Sequence, residues 1–312
     1  MYEIKRIRKK GQEALQGFCL QDLEEGSMVG QGLWQNYRKT DEGVPLEFLT
    51  FPLLEETGIV KHLFSTRLGG VSQGDCASMN FSMDRGDSRE NVLTNFGRIA
   101  QVLGCGIDDM TASHQTHTTN IRRMTEADRG KGILRKRDYQ DVDGMVTDVP
   151  GLVLVTFYAD CVPLYFVDPV HRAIGLAHSG WRGTAGRMGE RMVEAMGRQF
   201  GSRPEDIRAA IGPSICRDCY EVSEDVAAQF TEMLGGDVAV PGEKAGKYQL
   251  DLWLANELIL RQAGILPEHL EEGGQLQPGP LIGIHNIPLE IHHHSDGQHH
   301  QHGQNNGDQP QN

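Results

Sequence analysis

The residues best equipped for chemistry in this 312-residue chain cluster between Thr156 and Thr184. Cys161 follows Ala159-Asp160. His178 comes seventeen positions later, directly ahead of Ser179-Gly180-Trp181-Arg182-Gly183-Thr184. Upstream, Ser113-His114-Gln115-Thr116-His117-Thr118 adds two histidines three apart. Taken together, His117, Cys161 and His178 offer two imidazoles and a thiolate. That donor set suits Zn²⁺, which accepts nitrogen and sulfur ligands in a tetrahedron and, with three protein ligands, keeps a fourth position for water or substrate. Zinc held this way brings the pKa of its water to about 7. Two other readings stay open at this level. Cys161 can be a nucleophile with His178 as its base and no metal. Alternatively, it is a small buried hydrophobe that precedes two unrelated histidines.

A second feature points to an anion. Gly180 to Thr184 precedes a helical pattern, so free backbone N–H groups and the helix dipole can hold negative charge there. Arg182 would be its bidentate partner; the plainer reading packs Trp181 and pairs Arg182 with a surface carboxylate. Hydroxide beside an anion cradle suits hydrolysis, deamination or phosphorolysis. Thr66-Arg67-Leu68-Gly69-Gly70 reads either as a loop that a ligand can approach closely or as an ordinary glycine turn with a surface arginine. The Arg-rich stretch 121–140 reads as a solvated loop, with steering of an anionic substrate as the alternative. Cys216-x-x-Cys219 lacks a second pair and a thioredoxin-like context, and reads as incidental.

The elements that must position these residues follow from periodicity. Val153 to Tyr158, Val162 to Val167 and Ala173 to Ala177 are apolar, β-branched runs that read as strands, the last two joined by a turn at Asp168-Pro169. Pro45 to Phe51, Val60 to Ser65 and Ile207 to Ile211 read likewise. Ser88 caps a helix marked by Val92, Phe96, Ile99 and Leu103 and stopped by Gly104. Ala185 to Phe200 forms a helix whose Met188, Met192, Met196 and Phe200 stripe is core packing. Ser223 and Asp251 open two more helices, the second stopped by Gly264.

The whole chain sets outer limits. A formal net charge of −13 argues against a nucleic-acid partner held through a broad basic face. The basic residues Lys5 to Lys10 read as a solvated segment. No run approaches the ~20 apolar residues of a membrane helix, and the charged N-terminus is not followed by an apolar core. Six cysteines without secretion signals fit free thiols in a reducing, cytoplasmic setting. Residues 1–45 are weakly patterned, 46–270 carry the folded pattern, and 271–312 form a divergent, His-rich segment too polar to fold. Oligomeric state cannot be read at this level.

At these motifs the chain resembles the laccase-domain family, once described as multicopper polyphenol oxidases and regarded as zinc-dependent purine nucleoside phosphorylases. The resemblance rests on Ser65-Thr66-Arg67-Leu68-Gly69-Gly70-Val71-Ser72, Met79-Asn80-Phe81, Gln115-Thr116-His117 and Asp143-Gly144-Met145-Val146-Thr147. It continues through Ala159-Asp160-Cys161, Ala177-His178-Ser179-Gly180-Trp181-Arg182-Gly183, Ile211-Gly212-Pro213-Ser214-Ile215 and Tyr220-Glu221-Val222. It implies zinc on His117, Cys161 and His178, and a site lined by Arg67, Asn80 and Arg182, with His114 as a substrate or supporting contact. The implied activities are phosphorolysis of adenosine, inosine, guanosine and methylthioadenosine, and adenosine deamination. The implied fold is α+β, a single mixed α/β domain with two β layers between helices. Copper suits the chain less well, because a multicopper site needs many more histidines than these three. Two alternatives are a hydrolase acting on a cell-wall precursor and a catalytically degenerate metal-binding protein. The family's closing Cys-Thr strand, aromatic-Ser-x-Arg segment and Gly-Arg turn do not continue past Glu271, so a closing strand and a late arginine are expected to be missing.

Overall fold

The protein is described here from a computed structural model. The described residues are 34–273 and three two-residue strands before them, Ile7–Arg8, Glu24–Glu25 and Ser27–Met28. The His-rich segment lies outside the described residues.

The site is built on a six-stranded sheet. Its strands are, in chain order, β1 (Ile121–Arg123), β2 (Gly144–Thr147), β3 (Val162–Asp168), β4 (Ala173–Ser179), β5 (Arg208–Ile211) and β6 (Leu270–Glu272). Their order across the sheet is β6-β5-β3-β4-β2-β1. Strands β3 and β4 form an antiparallel hairpin with Val162 opposite Ser179 and Asp168 opposite Ala173. Its turn is fixed by Asp168, whose Oδ1 accepts from the Val170 and His171 N–H groups at 2.8 and 3.1 Å. This register places Cys161, just before β3, and His178, near the end of β4, at the same end of the hairpin.

Alternation along the strands makes two faces. Leu164, Phe166, Ala173 and Ala177 point to helices α1 (Met188–Phe200), α2 (Glu224–Leu234) and α3 (Leu252–Gln262). Met188, Met192 and Met196 are fully buried in that layer, as their spacing predicts. Tyr165 and Val167 point the other way, onto Leu49 of a second sheet that contains Trp34–Lys39, Pro45–Thr50 and Phe64–Ser65, and onto Phe51 just beyond its middle strand. Leu46 and Phe48 on that sheet's far face pack against the helix Arg89–Leu103. The result is α+β, two β layers between helices.

The Arg89–Leu103 helix has the expected ends. The Ser88 hydroxyl accepts from the Asn91 N–H at 3.0 Å, and Gly104 closes it at φ 72°. Other boundaries move for identifiable reasons. The strand expected to reach Tyr158 stops at Val155. The Gln115 side chain takes both backbone groups of Phe157, accepting from its N–H at 2.8 Å and donating to its carbonyl at 2.6 Å. The strand expected from Val60 is only Phe64–Ser65; upstream of it, the His62 ring instead receives the Phe51 N–H at 2.7 Å. The helix expected from Ala185 is two pieces, a single turn at Trp181–Ala185 and then α1. Between them Arg187 adopts the left-handed conformation at φ 59°. The closing strand expected to be missing is present as β6, which lies parallel to β5; beyond it the Gly273 N–H bonds the Ile211 carbonyl at 2.9 Å. Trp34–Lys39 pairs with Pro45–Thr50 ahead of residue 46.

Candidate metal centre

The loop 113–118, the segment before β3 and the end of β4 bring three donors together. The ligand atoms of His117, Cys161 and His178 all lie within 4.8 Å of one another. The two imidazole rings meet edge-on with centroids 5.0 Å apart, and the Tyr158 ring covers His178 at 5.7 Å. Gly180 leaves the room: a Cβ there would stand 2.7 Å from Cys161 Sγ and 3.3 Å from His117 Cδ2. Among the described residues this is the one group of three or more such side chains close enough to share a metal ion.

One buried carboxylate organises the cluster. Asp143 begins the run into β2 and has no exposed surface. Its Oδ1 accepts from the His117 N–H at 3.1 Å and from His178 Nδ1 at 2.9 Å. Its Oδ2 accepts from the Thr116 and Thr118 N–H groups at 3.1 and 2.9 Å and from the Thr118 hydroxyl at 2.9 Å. Burial alone would raise this carboxyl, but the bonds from His178 and the threonines outweigh it and hold the pKa at about 2. The same bonds support His117 at φ 63°, a conformation uncommon outside glycine. Because Nδ1 of His178 is committed to Asp143, Nε2 is the nitrogen left for a ligand, the carboxylate–histidine arrangement of metal sites.

The donors suit a divalent cation. Although His117 keeps an exposed edge, partial desolvation and then His178, opposed by Asp143 and aided by Arg182, push it below its ordinary value, which favours the neutral imidazole at pH 7. The Cys161 thiol is pushed up to about 11 by burial, then by Asp160 and Asp143. A thiol raised in this way is a poor free nucleophile, which weakens the metal-free reading. Soft sulfur with two imidazoles fits zinc, and the residues present fit that ion.

The cluster opens on a cavity of about 1470 Å³ whose wall includes Arg67, Asn80, His114, His117, Cys161 and His178. Arg67 donates to the Ala77 carbonyl through Nε, at 3.2 Å, and through a terminal nitrogen. Asn80 spends its amide within its own loop, accepting from the Ser82 N–H and donating to the Ser82 carbonyl and Asp87. His114 Nδ1 accepts from the Asp141 N–H at 3.1 Å, which leaves the proton of the neutral ring on Nε2. Arg182 is not on the cavity wall: it is exposed, with its guanidinium 4.4 Å from the centre of the Trp181 ring. The turn that carries it is tied to α3 by a buried Ser179–Thr184–Asn256 network with contacts of 2.9 to 3.1 Å.

Asp143, Gln115, Gly180 and Tyr158 stand in or behind the cluster without having been singled out from the sequence for these roles. The sequence signals for Asp143 are its place before Gly144 at the head of an apolar run and its membership of the Asp143-Gly144-Met145-Val146-Thr147 motif, neither of which assigns it this role.

Comparison with known proteins adds three results. Residues 61–276 match the family described as multi-copper polyphenol oxidoreductase laccase. The purine nucleoside phosphorylase of Deinococcus radiodurans is 41% identical over 69% of this chain and 79% of its own, and a protein named adenosine deaminase RL5, from an unknown prokaryotic organism, is 35% identical over 67% and 81%. The crystal structure of YlmD from Geobacillus stearothermophilus superposes with a TM-score of 0.67 at 34% identity, covering 77% of this chain and 88% of its own.

Proposed function

The chain belongs to the family described as multi-copper polyphenol oxidoreductase laccase, and from that premise we propose that it is a zinc-dependent purine nucleoside phosphorylase that also deaminates adenosine. The substrates are adenosine, inosine, guanosine and methylthioadenosine with phosphate, and the products are the free base and the sugar 1-phosphate. The observation that carries this reading is the convergence of His117, Cys161 and His178 at the wall of a large cavity. The names borne by the relatives support the substrate class.

Bound zinc would supply a Lewis acid and a water ionised near neutral pH. The chain's own groups set up the rest. Asp143 fixes the ring orientation and tautomer of His178. Partial desolvation, with His178 and Arg182 acting against Asp143, lowers His117 and favours a free lone pair on its ring. His114 presents an Nε2–H donor from the cavity wall, suited to a purine ring nitrogen. Arg67 is the cationic side chain we assign first to phosphate, since Arg182 lies off the wall. Phe81, Phe157 and Tyr158 give that wall the apolar surface a base needs.

The test uses the full chain, purified without added metal. Metal content is read by mass spectrometry, and adenine and inosine release from adenosine are followed with and without phosphate. The reading expects about one zinc per chain and phosphate-dependent adenine release, with both lost in Cys161→Ala. Phosphorolysis that survives Cys161→Ala overturns it.

A further inference from the structure

Cys216 and Cys219, left aside as incidental in sequence, occupy a defined place in the fold. Cys216 caps and Cys219 ends a single 3₁₀ turn, Arg217–Cys219, closed by the Cys219 N–H donating to the Cys216 carbonyl at 3.1 Å. In such a turn side chains three apart eclipse, and its ends come within about 7 Å. A disulfide needs about 4.4–6.8 Å between Cα atoms. Both cysteines are free thiols, Cys216 half-buried and Cys219 exposed, so solutes reach the pair. The neighbouring Cys216 thiol is itself the main influence that raises Cys219. Cys76 and Cys105, the other described cysteines outside the metal cluster, are free thiols too.

The turn is also coupled to the candidate metal centre. One residue before Cys216, the Ile215 N–H donates to the carbonyl of Asp160 at 3.1 Å, and Asp160 immediately precedes Cys161. One residue after Cys219, Tyr220 is pushed up to about 12 by burial and then by Cys161 and Asp160, so its ring lies within electrostatic reach of that thiol. The Tyr220 carbonyl accepts from the Leu250 N–H at 3.0 Å, which anchors the far side of the turn. Any change in the 216–219 turn therefore pulls on a segment held at one end to Asp160 and at the other to a strand.

We propose that Cys216 and Cys219 form a dithiol–disulfide couple, oxidised by hydroperoxides and reduced by thiols, whose state alters how firmly Cys161 holds its metal. The second half rests on the metal-centre reading; the first does not. One cysteine thiolate attacks a peroxide oxygen, the O–O bond breaks, and a sulfenic acid and hydroxide result. The second thiol then displaces the hydroxyl from that sulfur, forming the S–S bond and releasing water. Two thiols and one hydrogen peroxide give one disulfide and two waters. A later exchange with a dithiol returns both protons and electrons. Dithiols that cycle in this way are the form in which cytosolic disulfides usually occur.

The full-length protein is equilibrated with hydrogen peroxide or dithiothreitol, alkylated and mapped by peptide mass spectrometry. The expected result is a peptide carrying a Cys216–Cys219 disulfide after peroxide, restored to two alkylated cysteines by dithiothreitol, with Cys76 and Cys105 alkylated throughout. Cys219→Ser should abolish the linkage and leave the metal content of the untreated protein unchanged. Metal release to a chromogenic chelator should differ about fivefold between the two forms of the native sequence, and not at all in Cys219→Ser. Absence of the 216–219 linkage overturns the proposal, as does a linked protein that releases metal at the reduced rate. If no metal is bound at all, the zinc reading fails while the peptide map still decides the thiol couple.

Discussion

Replacing Asp143 with asparagine tests the organisation of the metal centre most directly. The side chain keeps its shape but exchanges one acceptor oxygen for an NH₂ donor. Both carboxylate oxygens face donors only: His117 N–H and His178 Nδ1 at one, and Thr116 N–H, Thr118 N–H and the Thr118 hydroxyl at the other. Either amide orientation therefore sets NH₂ against buried N–H groups, at about 1–3 kcal/mol for each donor left unpaired. The carboxyl's own pKa gives an independent figure. Its fall from 3.8 to about 2 in the fold, with no surface exposed, corresponds to about 2 kcal/mol. Because the folded value lies below the unfolded one, this stabilisation is complete above about pH 4 and is lost as pH falls toward 2. Asp143→Asn should thus lower the unfolding free energy by about 2–4 kcal/mol at pH 7, measured by urea denaturation. The deficit should shrink below pH 4, where the native carboxyl gains its proton. Metal affinity, read by chelator competition, should fall about 10–100-fold, the usual cost of losing a carboxylate behind a histidine ligand. An Asp143→Asn protein with native stability and native metal affinity at pH 7 would refute the reasoning.

Three further substitutions probe other layers of the structure. Gly180→Ala puts a methyl 2.7 Å from Cys161 Sγ; metal affinity should drop by about 1–3 kcal/mol of strain while far-ultraviolet circular dichroism stays native, and an unchanged affinity would show that the cluster yields freely. Met192→Ala removes a fully buried side chain that lies against Gly144 and Gly175; a loss of about 2–5 kcal/mol in urea is expected, and a loss under 1 kcal/mol would mean that α1 collapses into the gap. Glu271→Gln concerns β6. Burial, opposed by the Leu53 N–H and reinforced by Glu56 and Glu55, raises Glu271 to about 7. The folded state therefore holds the proton more tightly than the unfolded chain, and stability is lost as pH rises from about 4.5 through about 7. Glutamine still accepts the Leu53 N–H, so the variant should melt higher than the native protein at pH 8 and level with it at pH 4; a gap that does not change with pH would contradict this.

Element types were legible where one local rule decided them. Ser88 and Gly104 bracket their helix because cap chemistry needs only neighbours in sequence. The Met188–Met192–Met196 stripe declares its buried face through spacing alone. The differences fall where a distant side chain, an unannounced backbone conformation or a non-local strand partner decides the local structure. Phe157 leaves the strand pattern because Gln115, 42 residues away, bonds both its N–H and its carbonyl. Arg187 breaks the helix expected from Ala185 with a left-handed residue that its side-chain type does not announce. Trp34–Lys39 is ordered by pairing with Pro45–Thr50, which a local reading of residues 1–45 does not contain.

The candidate site divides in the same way, and the division has a physical origin. Cysteine and histidine are uncommon and chemically distinctive, so His117, Cys161 and His178 stand out in a sequence, and the turn at Asp168 explains how two of them reach one end of a hairpin. Their supports are common residues in uncommon surroundings. Asp143 is one of many acidic residues in a chain of net charge −13; it falls in a family-like motif, but its burial and five hydrogen-bond donors are what reveal its role. Those five bonds do more than orient His178. Three of them bind the backbone of residues 116–118, the segment in which His117 is held at φ 63°. A left-handed non-glycine residue persists only when its surroundings over-determine it, and here a single carboxylate supplies the determination. The donor set alone is therefore insufficient: a chain that kept both histidines and the cysteine but lost the acid at 143 would keep the ligands and lose the geometry that lets them share an ion.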